Sequence, residues 1–271
     1  MQPLLAKMGT MAARWITKSD VELIYDGIWV RRIGDCYFGD KTAFDYYLDE
    51  FRVWNKQHVI WLKDPEDFWF YDYESKPGDI IVDVGAGFGN DALIFSRRVG
   101  PDGKVISIEA HPIAANQLRK TCKWSKLDNV TPLGIALGER EGTLRIGREY
   151  AVESFVFNDD QDNEAFEVPV RRFDDVAKEV GIDRVDLLKM NIEGAEIAAL
   201  RGMPETLAIA NAVVVACHDF RSERGEGEFF RTKEEVRNIL NGAGFELCER
   251  LEDPRPYVRD TLYGRRAKPA G

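Results

Sequence analysis

The feature that most constrains this chain is a glycine-rich loop that follows a short apolar segment and precedes a helical pattern. Ile80–Val84 is apolar and rich in β-branched residues, as expected for a strand buried on both faces. Gly85, Gly87 and Gly89 follow, and they allow the backbone to turn tightly and to approach a ligand closely. The helix behind them offers unpaired N–H groups to a carboxylate or phosphate. We therefore predict a ligand-binding strand–loop–helix unit.

Short apolar runs alternate with helical patterns along the rest of the chain. Because this alternation is typical of βα units, the sequence predicts an α/β fold with a doubly wound, mainly parallel sheet. The segments predicted as its strands are Ile80–Val84, Lys104–Ile108, Val130–Leu137, Val185–Met190, Ala212–Cys217, Phe245–Cys248 and Tyr257–Leu262. The segments predicted as an inserted set of short strands are Gly142–Gly147, Ser154–Phe157 and Phe166–Val170.

The first 75 residues differ from the rest because they are rich in aromatic side chains. Short alternating segments predict strands at Val21–Tyr25 and Gly27–Ile33, and Lys41–Phe51 is predicted to be helical. A turn signal, Lys76-Pro77-Gly78-Asp79, separates this region from the first predicted strand of the sheet. We therefore predict an N-terminal cap or extension at residues 1–75 and a ligand-binding domain at residues 76–271.

Composition and charge disfavour several classes of binding partner. The net charge is −10 and the pI is about 5.0, which disfavours binding to nucleic acid. The four cysteines have no CxxC spacing and the three histidines no paired spacing, so no metal site is predicted. No apolar run approaches the roughly 18 residues that span a bilayer. The expectation is a cytoplasmic protein without nucleic-acid or membrane partners; a homo-oligomer stays open.

An acidic residue follows the second strand of the predicted unit. Glu109 comes 20 residues after Gly89, where a carboxylate can accept hydrogen bonds from both hydroxyls of a ribose. Ala110 and His111 come next and are suited to line an adenine pocket. Strand, glycine loop, helix, strand and terminal carboxylate together predict a site for an adenosine-containing cofactor.

The spacing of the glycines favours S-adenosylmethionine over NAD. Dinucleotide-binding loops have the spacing GxGxxG, whereas this chain has GxGxG and carries Asn90 in place of the last glycine. Asp83, upstream of the loop, suits the amino group of methionine and would repel a pyrophosphate. The predicted cofactor-binding residues are Asp83, Gly85, Gly87, Phe88, Gly89, Asn90, Asp91, Glu109, Ala110, His111, Ala136 and Asn191.

Two blocks of this sequence resemble the FkbM-type methyltransferase family. The first is IIVDVGAGFGNDALIF with VISIEAHPIAANQL, and the second is VDLLKMNIEGAEIAALRGM, preceded by VPVRRFDDV. The resemblance covers about residues 75–220. It implies a Rossmann-like class I methyltransferase fold with a seven-stranded sheet whose last strand is antiparallel. It also implies O-methylation, often of sugars or secondary metabolites.

The sequence departs from the family pattern at one position near the expected reaction centre. Family members commonly have Asp where this chain has Asn191, and an amide cannot act as a carboxylate base. His218 and Asp219 follow the fifth strand, at the carboxyl edge where such sheets bind ligands, and His218 is the leading candidate for a general base. Glu193 is predicted to orient the substrate or the cofactor amino group. The predicted catalytic residues are His218, Asp219, Asn191 and Glu193.

The function predicted from these features is transfer of a methyl group from S-adenosylmethionine to a hydroxyl of a small molecule, such as a sugar or a glycosylated secondary metabolite. Three alternatives stay open at this point. One is a methyltransferase that acts on RNA or protein, which the acidic net charge disfavours for RNA. Another is a NAD-dependent oxidoreductase, which the glycine spacing disfavours. The third is a catalytically silent binding module that kept the cofactor fold, which Asn191 leaves open.

Overall fold

The structure is a computed structural model, and it describes residues 2–27, 29–40, 66–147 and 165–266. The strands in these ranges are β1 Val21–Tyr25, β2 Trp29–Ile33, β3 Cys36–Asp40, β4 Ile80–Val84, β5 Lys104–Ile108, β6 Val130–Leu133, β7 Ala136–Leu137, β8 Gly142–Ile146, β9 Phe166–Arg171, β10 Val185–Met190, β11 Ala210–Ala216, β12 Phe245–Cys248 and β13 Thr261–Arg266. The helices are α1 Gln2–Thr17, α2 Asn90–Val99, α3 Pro112–Trp124, α4 Phe173–Val180, α5 Glu196–Arg201, α6 Pro204–Ile209, α7 Asp219–Glu223, α8 Lys233–Gly242 and α9 Pro256–Arg259.

The centre of the fold is a seven-stranded sheet with the order β6-β5-β4-β10-β11-β13-β12. β13 runs antiparallel to both of its neighbours, and the other pairs are parallel. The residues of β4 and β10 are all buried, because helices cover both faces of the sheet. The prediction of a doubly wound, Rossmann-like sheet with an antiparallel last strand is therefore confirmed. The carboxyl ends of β4, β5, β10 and β11 meet at one edge.

Two predicted strands have wrong boundaries. Val130–Leu137 divides into β6 and β7, which belong to different sheets, because the chain leaves the large sheet at Gly134. Tyr257 lies in the short helix α9, and the strand predicted to start there begins only at Thr261.

A second, three-stranded sheet has the order β7-β9-β8 and occupies the predicted insertion. β8 and β9 are antiparallel, whereas β7 pairs with β9 in parallel, through Ala136 and Val170. The short strand predicted at Ser154–Phe157 lies outside the described residues. This sheet places Ala136 and Ala110 in one small apolar cluster beside the end of β5.

The N-terminal extension packs on the large sheet. α1 lies on β1, and β1, β2 and β3 form an antiparallel meander. One continuous apolar core contains Leu23 and Trp69 of the extension together with Phe95 of α2. The extension thus shares the core of the cofactor domain. The sequence did not predict α1, and the helix predicted at Lys41–Phe51 lies outside the described residues.

None of the helices in the described ranges is both long and apolar enough to cross a lipid bilayer. The same residues contain no cluster of three or more histidine, cysteine or acidic side chains with a geometry suited to a metal ion.

Candidate active site

The glycine loop lies against the end of the neighbouring strand β10. Gly85, Gly87 and Gly89 have φ angles of 81°, 54° and 89°, in the left-handed region that favours glycine. A Cβ atom at Gly85 would lie 1.9 Å from the carbonyl oxygen of Asn191. The close approach of the two backbones therefore requires glycine at this position and leaves a compact cradle at the carboxyl edge of the sheet.

Glu109 is held in a fixed orientation at the end of β5. Its Oε2 accepts a hydrogen bond from the Gly87 N–H (2.8 Å), and its Oε1 accepts one from the His111 N–H (2.8 Å). Burial raises the pKa of Glu109, and these two backbone donors counter part of that rise. The carboxylate thus connects the glycine loop to the start of α3, which is the position that the sequence assigned to ribose recognition.

A buried ion cluster lies directly beneath the loop. Lys189 is fully buried, and its Nζ donates to Asp83 Oδ1 (2.8 Å) and to the carbonyl oxygen of Gly85 (2.9 Å). Asp91 Oδ2 lies 3.4 Å from the same nitrogen, which is 4.9 Å from the ring centroid of Trp69. Asp83 is therefore paired with a lysine of the same domain, and Lys189 holds the loop from below.

Two buried amide oxygens beside the loop lack a hydrogen-bond partner among the described residues. They are Oδ1 of Asn90, the first residue of α2, and Oδ1 of Asn191, which follows β10. A buried polar atom without a partner costs free energy, about 1–3 kcal/mol, unless a ligand satisfies it. Both oxygens therefore fit the ammonium group of an amino-acid ligand held at the cradle.

Four further residues predicted to bind the cofactor, of which Ala110 and His111 were predicted to line the adenine pocket, differ in their local contacts. Ala110 and Ala136 belong to the small apolar cluster of the second sheet. The His111 ring is buried, accepts from the Ile113 N–H through Nδ1 (3.3 Å) and lies 3.1 Å from the Gly147 carbonyl oxygen through Nε2. This ring caps α3. Phe88 is buried behind the loop, and its carbonyl oxygen accepts a hydrogen bond from Thr121.

A second cluster of charged side chains lies at the ends of β10 and β11. Glu193 has a φ angle of 53°, and its Oε1 lies 3.1 Å from His218 Nε2. Glu196 is fully buried and lies 3.4 Å from His218 Nδ1. His218 therefore sits between two carboxylates, which also fixes the direction of Glu193.

Arg221 completes this cluster and was missed by sequence reasoning. It donates to Glu193 Oε2 (2.8 Å) and to Glu226 Oε2 (2.6 Å), and its guanidinium lies 4.0 Å from the ring centroid of Phe230. Its position three residues after His218 was the available signal, because α7 begins at the intervening Asp219 and brings both side chains to one side.

Asp219, predicted to be catalytic, makes a structural contact with a distant helix. Its Oδ2 accepts hydrogen bonds from the backbone N–H groups of Thr232 and Lys233, both at 3.0 Å. These are among the unpaired donors at the start of α8, so Asp219 caps that helix from a distant part of the chain.

His218, which the sequence predicts as the general base, holds a proton between the two carboxylates in this arrangement. Burial alone would lower its pKa, but the hydrogen bond that the ring donates to Glu193 and the negative charges of Glu193 and Glu196 outweigh burial and raise the pKa to about 9. The ring is therefore protonated at neutral pH. Burial tends to raise the pKa of Glu193, yet His218 and Arg221 hold it below its usual value, so this carboxylate is ionised.

This arrangement predicts a pH-dependent contribution of His218 to stability. Because the pKa rises from 6.5 to about 9 on folding, we expect the contribution to be complete below pH 6.5 and to disappear as the pH rises through 9. The shift corresponds to on the order of 3 kcal/mol of unfolding free energy. Chemical unfolding of the native protein and of His218→Gln across this range measures it. An NMR titration midpoint for His218 below 7 would contradict the arrangement.

Comparisons with known proteins identify a matching family, related sequences and solved structures. The Methyltransferase FkbM domain matches residues 83–247. The chain is 26% identical over 205 residues to the 2-O-methyltransferase NoeI of Sinorhizobium fredii, covering 69% of this chain and 79% of that protein. It is 25% identical over 210 residues to Methyltransferase 1 of Beauveria bassiana, covering 69% and 80%. A solved structure with a similar outline is Aeropyrum pernix fibrillarin with bound S-adenosyl-L-methionine, at 14% identity, 90% and 99% coverage and a TM-score of 0.45.

The strand order, the glycine loop and the carboxylate at the end of β5 define a class I methyltransferase that uses S-adenosylmethionine. Because the matching domain covers more than half of the chain, the protein belongs to the FkbM methyltransferase family. S-adenosylmethionine is its cofactor, as predicted, and the oxidoreductase alternative is wrong.

Proposed function

We propose that this protein transfers the methyl group of S-adenosylmethionine to a hydroxyl group of a small molecule. The observation that carries the proposal is the position of Glu193, an ionised carboxylate held by His218 and Arg221 at the carboxyl edge of the sheet, in the turn that follows β10. A methyltransferase needs an acceptor-orienting group at this edge. The similarity to a 2-O-methyltransferase supports a hydroxyl acceptor.

The residues beside the loop fit the cofactor. Glu109 presents its carboxylate to the ribose hydroxyls, and the backbone of the glycine loop passes close to the methionine part. The unpartnered amide oxygens of Asn90 and Asn191 accept hydrogen bonds from the ammonium group. The sequence assigned Asp83 to the ammonium group of the cofactor. In this proposal Asp83 neutralises the charge of Lys189 beneath the loop, and Lys189 in turn supports the loop.

An amide at position 191 suits this role. Its oxygen accepts a hydrogen bond as a carboxylate does, although it cannot serve as a base. The loop backbone at Gly85 packs against the backbone carbonyl of Asn191, so this residue borders the cradle. The departure from the family pattern therefore leaves ligand binding in place and assigns proton transfer to another residue.

Glu193 is the residue that we assign to the acceptor hydroxyl. When bound, S-adenosylmethionine supplies the methyl group from its sulfonium, and S-adenosylhomocysteine leaves. As the hydroxyl oxygen forms its new bond to carbon, its proton becomes strongly acidic, so an ionised carboxylate can accept it even though His218 and Arg221 hold the pKa of Glu193 below its usual value. His218 and Arg221 fix the direction of that carboxylate, and they are positioning residues in this proposal.

The proposal is tested by supplying S-adenosylmethionine with a labelled methyl group to two panels of acceptors. One panel contains monosaccharides, glycosides and hydroxylated aromatic compounds, and the other contains RNA and proteins. Label in the first panel, at a hydroxyl oxygen, is the expected result. Label found only in RNA or protein would overturn the small-molecule assignment, and label on nitrogen or carbon would overturn O-methylation.

Two matched variants test whether Glu193 acts on the acceptor or only anchors Arg221. Glu193 and Glu226 both form ion pairs with this arginine. We expect Glu193→Gln to lower kcat about 100-fold, with the Kd for S-adenosylmethionine unchanged within about threefold, and Glu226→Gln to leave kcat nearly unchanged. Equal losses in both variants would show that Glu193 only anchors Arg221 and would remove it from the acceptor site.

A further inference from the structure

α1 is anchored on the extension by small residues along one side. Ala6 and Ala13 are buried against the meander, and Gly9 lies so close to β1 that a Cβ atom there would be 2.6 Å from Leu23 Cδ1. Thr10 strengthens this attachment by accepting a hydrogen bond from the Leu23 N–H (2.9 Å). The direction of the opposite side of the helix is therefore fixed.

The opposite side carries a line of large apolar residues that point away from the protein. They are 59–74% exposed and follow one another at spacings of four, three and four residues, which places them in one row along the helix: Leu4, Met8, Met11 and Trp15. A row of this length is unusual on a monomer surface, where exposed apolar side chains are normally scattered.

Basic residues accompany this row. Lys7 and Lys18 are exposed beside the row, whereas Arg14 donates to the Val21 carbonyl oxygen and lies 3.6 Å from Asp20. Gln2–Thr17 contains no acidic residue, although the chain as a whole has a net charge of −10. Lys18 Nζ lies 5.3 Å from the ring centroid of Trp15. Aromatic and apolar side chains bordered by lysine and arginine are typical of helices that lie in the plane of a membrane interface.

We propose that this face of α1 is a peripheral docking surface for an anionic phospholipid bilayer. The helix would lie parallel to the surface, with the row from Leu4 to Trp15 in the boundary between headgroups and acyl chains and with Lys7 and Lys18 at the phosphates. A second copy of the chain suits the face less well, because pairing α1 with itself brings like charges together. The proposal replaces the sequence-based expectation of no membrane contact.

The test uses the full chain and extruded vesicles. One set contains only phosphatidylcholine, and the other contains about one third phosphatidylserine. We expect co-sedimentation with the anionic vesicles at low salt, a clear decrease at high salt and little binding to the neutral vesicles. Binding that is absent from both sets would overturn the proposal.

Matched variants assign the binding to α1. We expect Met11→Glu to lower vesicle partitioning at least about tenfold and Lys7→Ala to lower it roughly fivefold. Leu251→Glu places the same charge at another apolar side chain that is 61% exposed, and it should bind as the native protein does. If Met11→Glu instead converts a dimer to a monomer in analytical ultracentrifugation and leaves vesicle binding unchanged, the face is a contact between copies, and the proposal is wrong.

Discussion

Replacement of Glu109 by glutamine is expected to weaken binding of S-adenosylmethionine about 100-fold. Both carboxylate oxygens face backbone N–H groups, of Gly87 and His111. An amide has only one oxygen, so its NH₂ group must point at one of these donors or turn away from the ribose. The substitution therefore removes a charge-assisted acceptor and also disturbs the loop that cradles the methionine part.

Calorimetric titration of S-adenosylmethionine into the two proteins measures this effect. Glu139→Gln, the same change at an exposed glutamate, is the matched control and should bind as the native protein does. Thermal unfolding of each variant separates lost affinity from lost folding. Equal affinity of Glu109→Gln and the native protein would remove Glu109 from the cofactor site, although the fold and the family would remain as described.

Replacement of Lys189 by methionine is expected to lower the free energy of unfolding by about 4 kcal/mol. The side chain is fully buried, and it neutralises Asp83, which is also fully buried. Methionine has a similar length but no charge, so the variant leaves a carboxylate in the interior without its counter-ion. The carbonyl oxygen of Gly85 loses its donor as well, and the glycine loop loses its support from below.

Guanidinium unfolding followed by circular dichroism measures this loss. Lys178→Met is the matched control, because Lys178 and Glu205 form an ion pair whose side chains are exposed, and it should leave the free energy of unfolding nearly unchanged. The double variant Asp83→Asn with Lys189→Met removes the isolated charge and should recover part of the loss. A double variant no more stable than Lys189→Met alone would show that the charge pair is not the origin of the effect.

Most of the fold could be predicted from the hydrophobic periodicity and the glycine spacing of the sequence. β4, β5 and β10 were predicted with their observed bounds, because strands buried on both faces appear as continuous apolar runs. The break between β6 and β7 was missed, since Gly134 interrupts an apolar run without changing its composition. α1 was missed for a related reason: it carries apolar residues on both its anchored and its exposed sides, which hides the amphipathic pattern that reveals a helix.

The position of the candidate site was easier to predict from the sequence than the roles of its side chains. The end of β5 and the glycine loop were predictable because local order places them side by side. The environment of His218 was not, because its high pKa depends on Glu193 and Glu196, which approach it only when β10 and β11 pair. The capping role of Asp219 likewise depends on a helix that begins 14 residues later. Tertiary contacts of this kind leave no spacing signature.

The contact between Trp69 and Lys189 joins the two predicted domains directly beneath the glycine loop. The ring of Trp69, in the extension, covers the Lys189 ammonium that supports the glycine loop. The domain boundary predicted near residue 75 therefore separates two parts of the sequence that share one interior. Expression of residues 76–271 alone would uncover that ammonium and the apolar side chains around Phe95. To exchange acceptor specificity between relatives, an engineer should therefore replace the segments that follow β10 and β11. The extension should stay with the cofactor-binding domain on which it packs.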